Sequence, residues 1–297
     1  MPNTLNNATL TKVATAAIAA LYQNVNTLPT LRRDIGDALS RGEGDTARVR
    51  IDPTVAATNF AGTANAADLT EKFVDVKVDQ QPNSQITLTA KELTFGVKDL
   101  ATQVIAPQMR GLAEYVDTFL NTKLVLAAPS AAVGGALTSA TKVLVAGRKA
   151  LNDTKTPFGE RYCVLTSADA ATLLGITGLL DASQTNDQGL AWREGFLGRK
   201  FGTDFYESQF ATTSVMYHST AVPVAFAAPA QPLGGAVSGT AAWDGIVAQT
   251  IAGWDNGSLS NKMTAHLLFG AKENLDGGGA GTGKRAVKLS FAAVTGI

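Results

Sequence analysis

Apolar residues recur at spacings of three and four along residues 107–126: Met109, Leu112, Ala113, Val116, Phe119, Leu120 and Leu124. Arg110, Glu114, Asp117 and Lys123 are assigned to the opposite face. This period predicts a helix from Pro107, a residue suited to a first helical position, to Leu126. A helix of about twenty residues is a rod of about 30 Å. Pro129 and Gly134-Gly135 close it. A shorter helix is predicted over 97–105, with Val97, Leu100, Ala101, Val104 and Ile105 on one side. Near the start of the chain Leu10, Val13, Ala17, Ile18 and Leu21 mark another.

Elsewhere the period is two. Ala47, Val49 and Ile51 alternate with Thr46, Arg48 and Arg50, and Pro53 ends the run. Phe73 to Asp79 alternates again, and Ile86 to Thr89 follows Pro82-Asn83. These are strands. Between the first two lies an Ala/Thr/Asn-rich excursion, Asp52 to Thr70, with no period. Two strands around such a stretch predict an extended two-stranded arm, too thin to bury a core of its own.

Residues 137–228 mix both periods. A helix capped by Thr138 or Ser139 runs to about Leu151. A turn at Pro157-Phe158-Gly159 precedes a short buried strand, Arg161 to Leu165. Ser167 caps a helix through Leu174, and Phe201 to Glu207 and Ser214 to His218 read as strands. Val222 to Ala228 is an apolar run. Met263 to Phe269 and Arg285 to Phe291 are later candidate strands, whereas residues 230–262 show no readable pattern. The mixture fits an α/β or α+β domain.

Composition narrows the function. The 297 residues are 45% hydrophobic, which supports a core and argues against disorder. Lys+Arg and Asp+Glu are both 25, so the formal net charge is zero. That balance argues against binding driven mainly by phosphate neutralisation. It also removes like-charge repulsion between copies. The single cysteine, Cys163, sits in an apolar run and reads as a small buried hydrophobe; it excludes an internal disulfide framework and a multi-cysteine metal site. Two histidines, His218 and His266, leave little room for histidine-based metal chemistry. No run of 18 apolar residues exists, so no membrane helix is predicted. Val13 to Leu21 is alanine-rich with Lys12 as its only nearby cation, and reads as a short amphipathic helix rather than a signal peptide.

Several motifs fail on their chemistry. Gly278 to Lys284 nearly matches a phosphate-binding loop, but Arg285 stands where a magnesium-binding hydroxyl is needed, and a strand follows instead of a helix. A hairpin turn is expected there. Trp243-Asp244 and Trp254-Asp255 lie 11 residues apart, not the ~40–45 of a propeller repeat. No Gly-X-Ser-X-Gly elbow accompanies either histidine, and Glu71, Glu92 and Glu114 lie in unrelated settings. Arg32-Arg33, followed by Asp34, reads as a solvated face. No catalytic, cofactor-binding or metal-binding residues are assigned, and the chain is not expected to be an enzyme.

A collinear set of segments over residues 1–291 resembles the major capsid proteins of tailed phages, particularly coat proteins akin to that of the short-tailed phage P22. The segments are Met1 to Leu5, Gly44 to Ile51, Gly111 to Asp117, Arg161 to Leu165, Arg193 to Arg199 with Phe205 to Ser208, Tyr217 to Ala221, and Leu268 to Lys272. Gly202 to Phe205 departs from the family's pattern, and residues 230–262 match nothing in it. The resemblance implies an α+β chain of the HK97-type capsid fold. Its parts would be an N-terminal arm (1–46), an extended loop (47–90), a peripheral domain with a long spine helix (91–136), an axial domain (137–228) and closing strands of the peripheral domain with an insertion (229–297). It implies a major capsid protein that self-assembles, as hexamers and pentamers, into an icosahedral shell around packaged double-stranded DNA. The DNA would be held weakly and without sequence specificity. The implied place is the virion, assembled in the bacterial host cytoplasm, with a portal and no membrane partner. The roughly 46 residues before the first strand leave no room for a fused scaffolding segment, so a separate scaffolding protein is expected. The alternative is the shell of a cellular nanocompartment of the same fold. In either case the apolar positions of the arm and loop, such as Ile18, Leu21, Phe60, Phe73 and Val76, are expected to be exposed on one chain and covered by its neighbours. Gly195, Gly198 and Gly202 are expected to allow tight turns.

Overall fold

A computed structural model describes residues 12, 14–16, 18, 19, 21, 25–33, 44–51, 57, 59, 71–89, 91, 92, 101–176, 197–232, 237–276 and 282–294. The first alternating run becomes one half of a hairpin. β1 (Thr46–Ile51) and β2 (Lys72–Lys77) pair antiparallel, with Ala47 opposite Val76 and Val49 opposite Val74. Side chains alternate in direction along a strand, so Ala47, Val49, Ile51, Val74 and Val76 share one face. That face is buried with Val78 and Ala225.

Downstream of β3 (Asn83–Thr89), a π-helical turn at Ala101–Ile105 runs into α1 (Ala106–Ala127). The apolar stripe is buried as its spacing predicts: Met109, Leu112, Ala113, Val116, Leu120 and Leu124 are all at most 2% exposed. Asp117 differs from expectation. It is 1% exposed, on the covered side with Gln108 and Asn121. Asp117 is four residues from Ala113 and three from Leu120, so it belongs to the margin of the buried stripe.

Then come α2 (Ala140–Asp153), β4 (Arg161–Leu165) and α3 (Ser167–Leu174). The cap of α3 is Thr166, one residue earlier than expected; its Oγ1 accepts the Asp169 N–H at 3.2 Å. β5 (Arg199–Lys200), β6 (Thr203–Glu207), β7 (Val215–His218) and β8 (Val224–Ala227) follow. Residues 230–262, opaque in the sequence, hold most of a meander: β9 (Val237–Trp243), β10 (Ile246–Asp255) and β11 (Ser260–Ala271). β9 and β10 are joined by Asp244-Gly245, both at positive φ (49° and 78°), the two-residue turn whose twist suits a hairpin. β12 (Ala286–Lys288) is the last strand described.

Two five-stranded sheets result. One runs β3-β11-β10-β9, with β8 also paired to β11; the other runs β12-β7-β4-β6-β5. α1 shares a core with the first sheet, meeting Leu88, Met263, Ala265 and Leu267. Gln108 Nε2 donates to the carbonyls of Ser84 (3.1 Å) and Met263 (3.0 Å), fastening the helix to two strands at once. α2 and α3 share a second core with the other sheet, built from Val143, Leu144, Leu151, Leu165, Phe205 and Met216. Cys163 is buried in it, and burial pushes its thiol pKa up, away from reactivity.

Candidate assembly surfaces

The β1–β2 arm has two unlike faces. Its apolar face is already covered by its own chain. Its other face carries crossed ion pairs: Arg48 to Asp75 at 2.8 Å, Arg50 to Glu71 at 2.9 Å and Lys77 to Asp45 at 3.3 Å. Phe73 stands among them, 46% exposed, with the Arg48 guanidinium 5.5 Å from its ring centre. The Arg48 hydrogen bond holds the Asp75 carboxyl below its ordinary pKa; hydrogen bonds from Thr46 and Lys77 do the same for Asp45.

The arm is fixed at its root. Val78 N–H donates to the Asp45 carbonyl at 2.8 Å, and Gln80 and Phe269 exchange two backbone hydrogen bonds at 3.0 Å. Gly270 lies so close to this crossing that a Cβ there would fall 1.9 Å from the Lys77 carbonyl oxygen. Only glycine fits such an approach. Phe269 is packed from three sides, by the edges of Tyr115 and Phe119 and by the stacked ring of Phe226.

The N-terminal segment is also tied into its own chain. Ile18 and Leu21 are 1% and 0% exposed, and Val76 is 0% exposed. These three were expected to await a neighbour, and the same chain covers them instead. Phe60 lies outside the described residues. A buried polar cluster holds Thr27: its backbone N–H donates to Asp117 Oδ1 (3.0 Å), while Ser208 Oγ donates to Asp117 Oδ2 (2.8 Å) and accepts from Asn121 Nδ2 (3.3 Å). Thr30 Oγ1 and the buried Tyr217 hydroxyl are 2.5 Å apart. The N-terminal segment, α1 and the loop after β6 are thus joined by hydrogen bonds.

Large apolar side chains remain exposed elsewhere. Trp243 (60%) and Trp254 (50%) stand near opposite ends of β10, and Leu259 (64%) lies in the β10–β11 turn. The tip is braced by Asp255, which accepts from Lys262 (2.8 Å) and from the Gly257 N–H (2.9 Å). Those donors pull its pKa down to about 2. Phe158 is exposed at the turn before β4, where it covers the guanidinium of Arg161.

The residues with candidate chemistry are dispersed. His218 Nδ1 bonds within its own turn, to Thr220 Oγ1 at 2.9 Å, and His266 lies on β11. Burial lowers both pKa values, with Arg285 adding to the effect at His218. Arg285 pairs with Asp276 at 2.9 Å, and β12 follows it directly, so the glycine-rich stretch before it does not open a helix. Residues 277–281 lie outside the described residues. Gly198 and Gly202 sit at φ 60° and 76°; Gly195 is not described. Among the described residues, no cluster of His, Cys, Asp and Glu is arranged to hold a metal, and no helix is long and apolar enough to cross a membrane.

The arrangement has counterparts among solved structures. A chain of Mycobacterium phage Che8 matches with a TM-score of 0.63 at 19% identity, over 89% of this chain and 90% of that one. The capsid of Ralstonia phage GP4 matches at 0.57 and 12% identity, over 83% and 82%. The virus-like particle from Pyrococcus furiosus matches at 0.56 and 10% identity, over 94% and 98%. This is the HK97-type capsid fold. No protein-family profile and no curated protein sequence matches the chain. The HK97-type fold is therefore shared with these structures at 10–19% identity.

Proposed function

We propose that this chain is the major capsid protein of a tailed bacteriophage, many copies of which close into an icosahedral head shell around packaged double-stranded DNA. The observation that carries this reading is the match to phage capsid chains over more than four-fifths of both lengths. The local physics supports it. Large apolar side chains stand exposed at hairpin tips and on the arm, and electroneutrality leaves association between copies unopposed. A shell subunit makes several modest contacts at once, and after the first the others act at high effective concentration.

In this reading residues 1–46 are the N-terminal arm, 47–90 the extended loop, 91–136 the peripheral domain with α1 as its spine helix, 137–228 the axial domain and 229–297 the closing strands. The role is mechanical, with no catalytic residues. Hexamers and pentamers form in the host cytoplasm with a separate scaffolding protein and a portal, and DNA is held weakly in the finished virion. Size-exclusion chromatography and negative-stain microscopy of the purified chain, alone and with its neighbouring genes, test the reading. Closed shells are expected; a monomer at every concentration and in both settings overturns it.

The virus-like particle from Pyrococcus furiosus, matched over 94% of this chain, is compatible with a second reading, the shell of a cellular nanocompartment. The contents decide between the two: nuclease-protected double-stranded DNA supports the phage head, and an enclosed protein cargo supports the compartment.

A further inference from the structure

Asn256 and Gly257 are the only Asn-Gly pair in the chain, and they stand at the tip of the β10–β11 hairpin. Residues 256–259 are all exposed, between Asp255 at the end of β10 and Ser260 at the start of β11. Asparagine is a thermolabile residue. Its side-chain carboxamide is open to attack by the backbone nitrogen of the next residue. A Cβ on that residue obstructs the approach, and glycine has none.

The turn presents both reactants. The Gly257 N–H donates to Asp255 Oδ1 at 2.9 Å. That hydrogen bond lies in the plane of the peptide, whereas the nitrogen attacks through the face of the plane, which stays open. The bonds that brace the tip join Asp255 to Gly257 and Lys262, and Ser258 Oγ to Ser260 Oγ at 2.6 Å. Among the described residues none of them engages the Asn256 carboxamide, so it can turn toward the nitrogen.

Other asparagines are held. Asn121 and Asn274 are buried, and their Nδ2 atoms donate to Ser208 Oγ and to the Thr220 carbonyl. Asn152 accepts from Arg161 at 2.8 Å. Asn83 and Asn261 lie within paired strands and are followed by Ser84 and Lys262, not by glycine. Asp244-Gly245 and Asp276-Gly277 offer a carboxylate, a poorer electrophile than a carboxamide, and each is ion-paired: Asp244 to Arg33 at 2.8 Å and Asp276 to Arg285 at 2.9 Å.

We propose that Asn256 is a site of spontaneous deamidation, which gives the hairpin tip a new carboxylate as the folded protein ages. Gly257 N bonds to Asn256 Cγ and passes its proton to solvent. The Cγ–Nδ2 bond breaks, and ammonia leaves with a proton taken from solvent. Water then opens the cyclic imide at either carbonyl. One opening leaves an aspartate; the other leaves an isoaspartate, whose main chain runs through Cγ and is one carbon longer. Ammonia lost and water gained raise the mass by about 1 Da. Each event adds a negative charge beside Asp255, on a chain whose formal net charge is zero. Like charge then opposes the approach of two such tips. The proposal stands apart from the shell-forming reading.

The test incubates the purified full chain at mildly alkaline pH. Chymotrypsin, cutting after Trp254 and Leu259, releases residues 255–259. That peptide should gain about 1 Da and split into two chromatographic peaks, one of them methylated by isoaspartyl methyltransferase. Asn256 should react at least about tenfold faster than Asn83, Asn121, Asn152, Asn261 or Asn274. Gly257→Ala should slow it by about tenfold or more. The new Cβ meets only Asp255 Oδ1 at 3.4 Å, an ordinary contact, so this variant should keep the parent's melting temperature. A rate at Asn256 no higher than at those five asparagines overturns the proposal. A Gly257→Ala chain that deamidates as fast as the parent also overturns it. So does a parent that reacts in urea but not when folded, since the turn would then protect the residue.

Discussion

Asp117 offers the sharpest check on how the chain is held together. Its carboxylate is 1% exposed and accepts hydrogen bonds from the Thr27 N–H and the Ser208 hydroxyl. Asp117→Ala leaves the Thr27 amide buried with no acceptor. Each stranded donor costs about 1–3 kcal/mol, and the lost carboxylate leaves a void beside them. Ser208 is less affected, because its hydroxyl can rotate. The expected loss is about 3 kcal/mol, enough to lower the urea midpoint by about 1 M at an unchanged slope of about 3 kcal/mol/M. Asp117→Asn keeps an acceptor for Thr27 but aims an amide at Ser208 Oγ, which already accepts from Asn121 and from the Phe210 N–H. A loss of about 1–2 kcal/mol is expected for it. Native-state hydrogen exchange at the Thr27 amide should quicken by at least tenfold in the alanine variant. A stability within about 0.5 kcal/mol of the parent, with Thr27 exchange unchanged, would refute the assignment of this cluster as the clasp between the N-terminal segment and α1.

Other consequences are equally direct. Leu112→Asp places a charge at a site 2% exposed on the stripe of α1, and should abolish folding; soluble protein with a cooperative melt would contradict the packing described. Gly270→Ala should loosen the root of the arm, seen as a fall of several degrees in melting temperature and faster proteolysis within 44–77, because the new Cβ meets the Lys77 carbonyl. Gly253→Ala, with nothing within 4 Å of its Cβ, is the matched control and should change neither. Stability should decline as pH falls from 7 to 5. Both histidines have folded pKa values below the unfolded value of 6.5, so the unfolded chain binds protons first and the contribution present above 6.5 is lost on acidification. His218→Asn with His266→Gln should flatten that slope in denaturation curves taken at several pH values. Asp255, with a pKa of about 2, stays ionised throughout this window and does not contribute to the slope.

What the sequence made legible follows from where periodicity is strong. The stripe of α1 and the alternation of β1 were plain because large apolar residues recur against charged ones. β9 and β10 were hidden because most of their buried positions, Ser238, Gly239, Ala248, Gln249, Thr250 and Ala252, are small or polar and carry little hydrophobic contrast; Ile246 is the exception. The Asp244-Gly245 pair is the signal in the sequence for that hairpin. Asp117 was misplaced because its charge outweighed its position on the wheel. Ile18, Leu21 and Val76 show a further limit: a periodic apolar residue announces that it will be covered, but not by which chain.

The order of strands also sets a timetable. The first sheet needs β11 at its centre, and the second is completed by β12, so neither can close before the chain has been made past residues 271 and 288 respectively. At about 5–20 residues per second the ribosome takes on the order of ten seconds or more to travel from β3 to β11. During that time the stripe of α1 has no sheet to rest on. The nascent chain spends this interval with the apolar stripe of its longest described helix uncovered, so its yield in a cell depends on what shields that helix before synthesis ends.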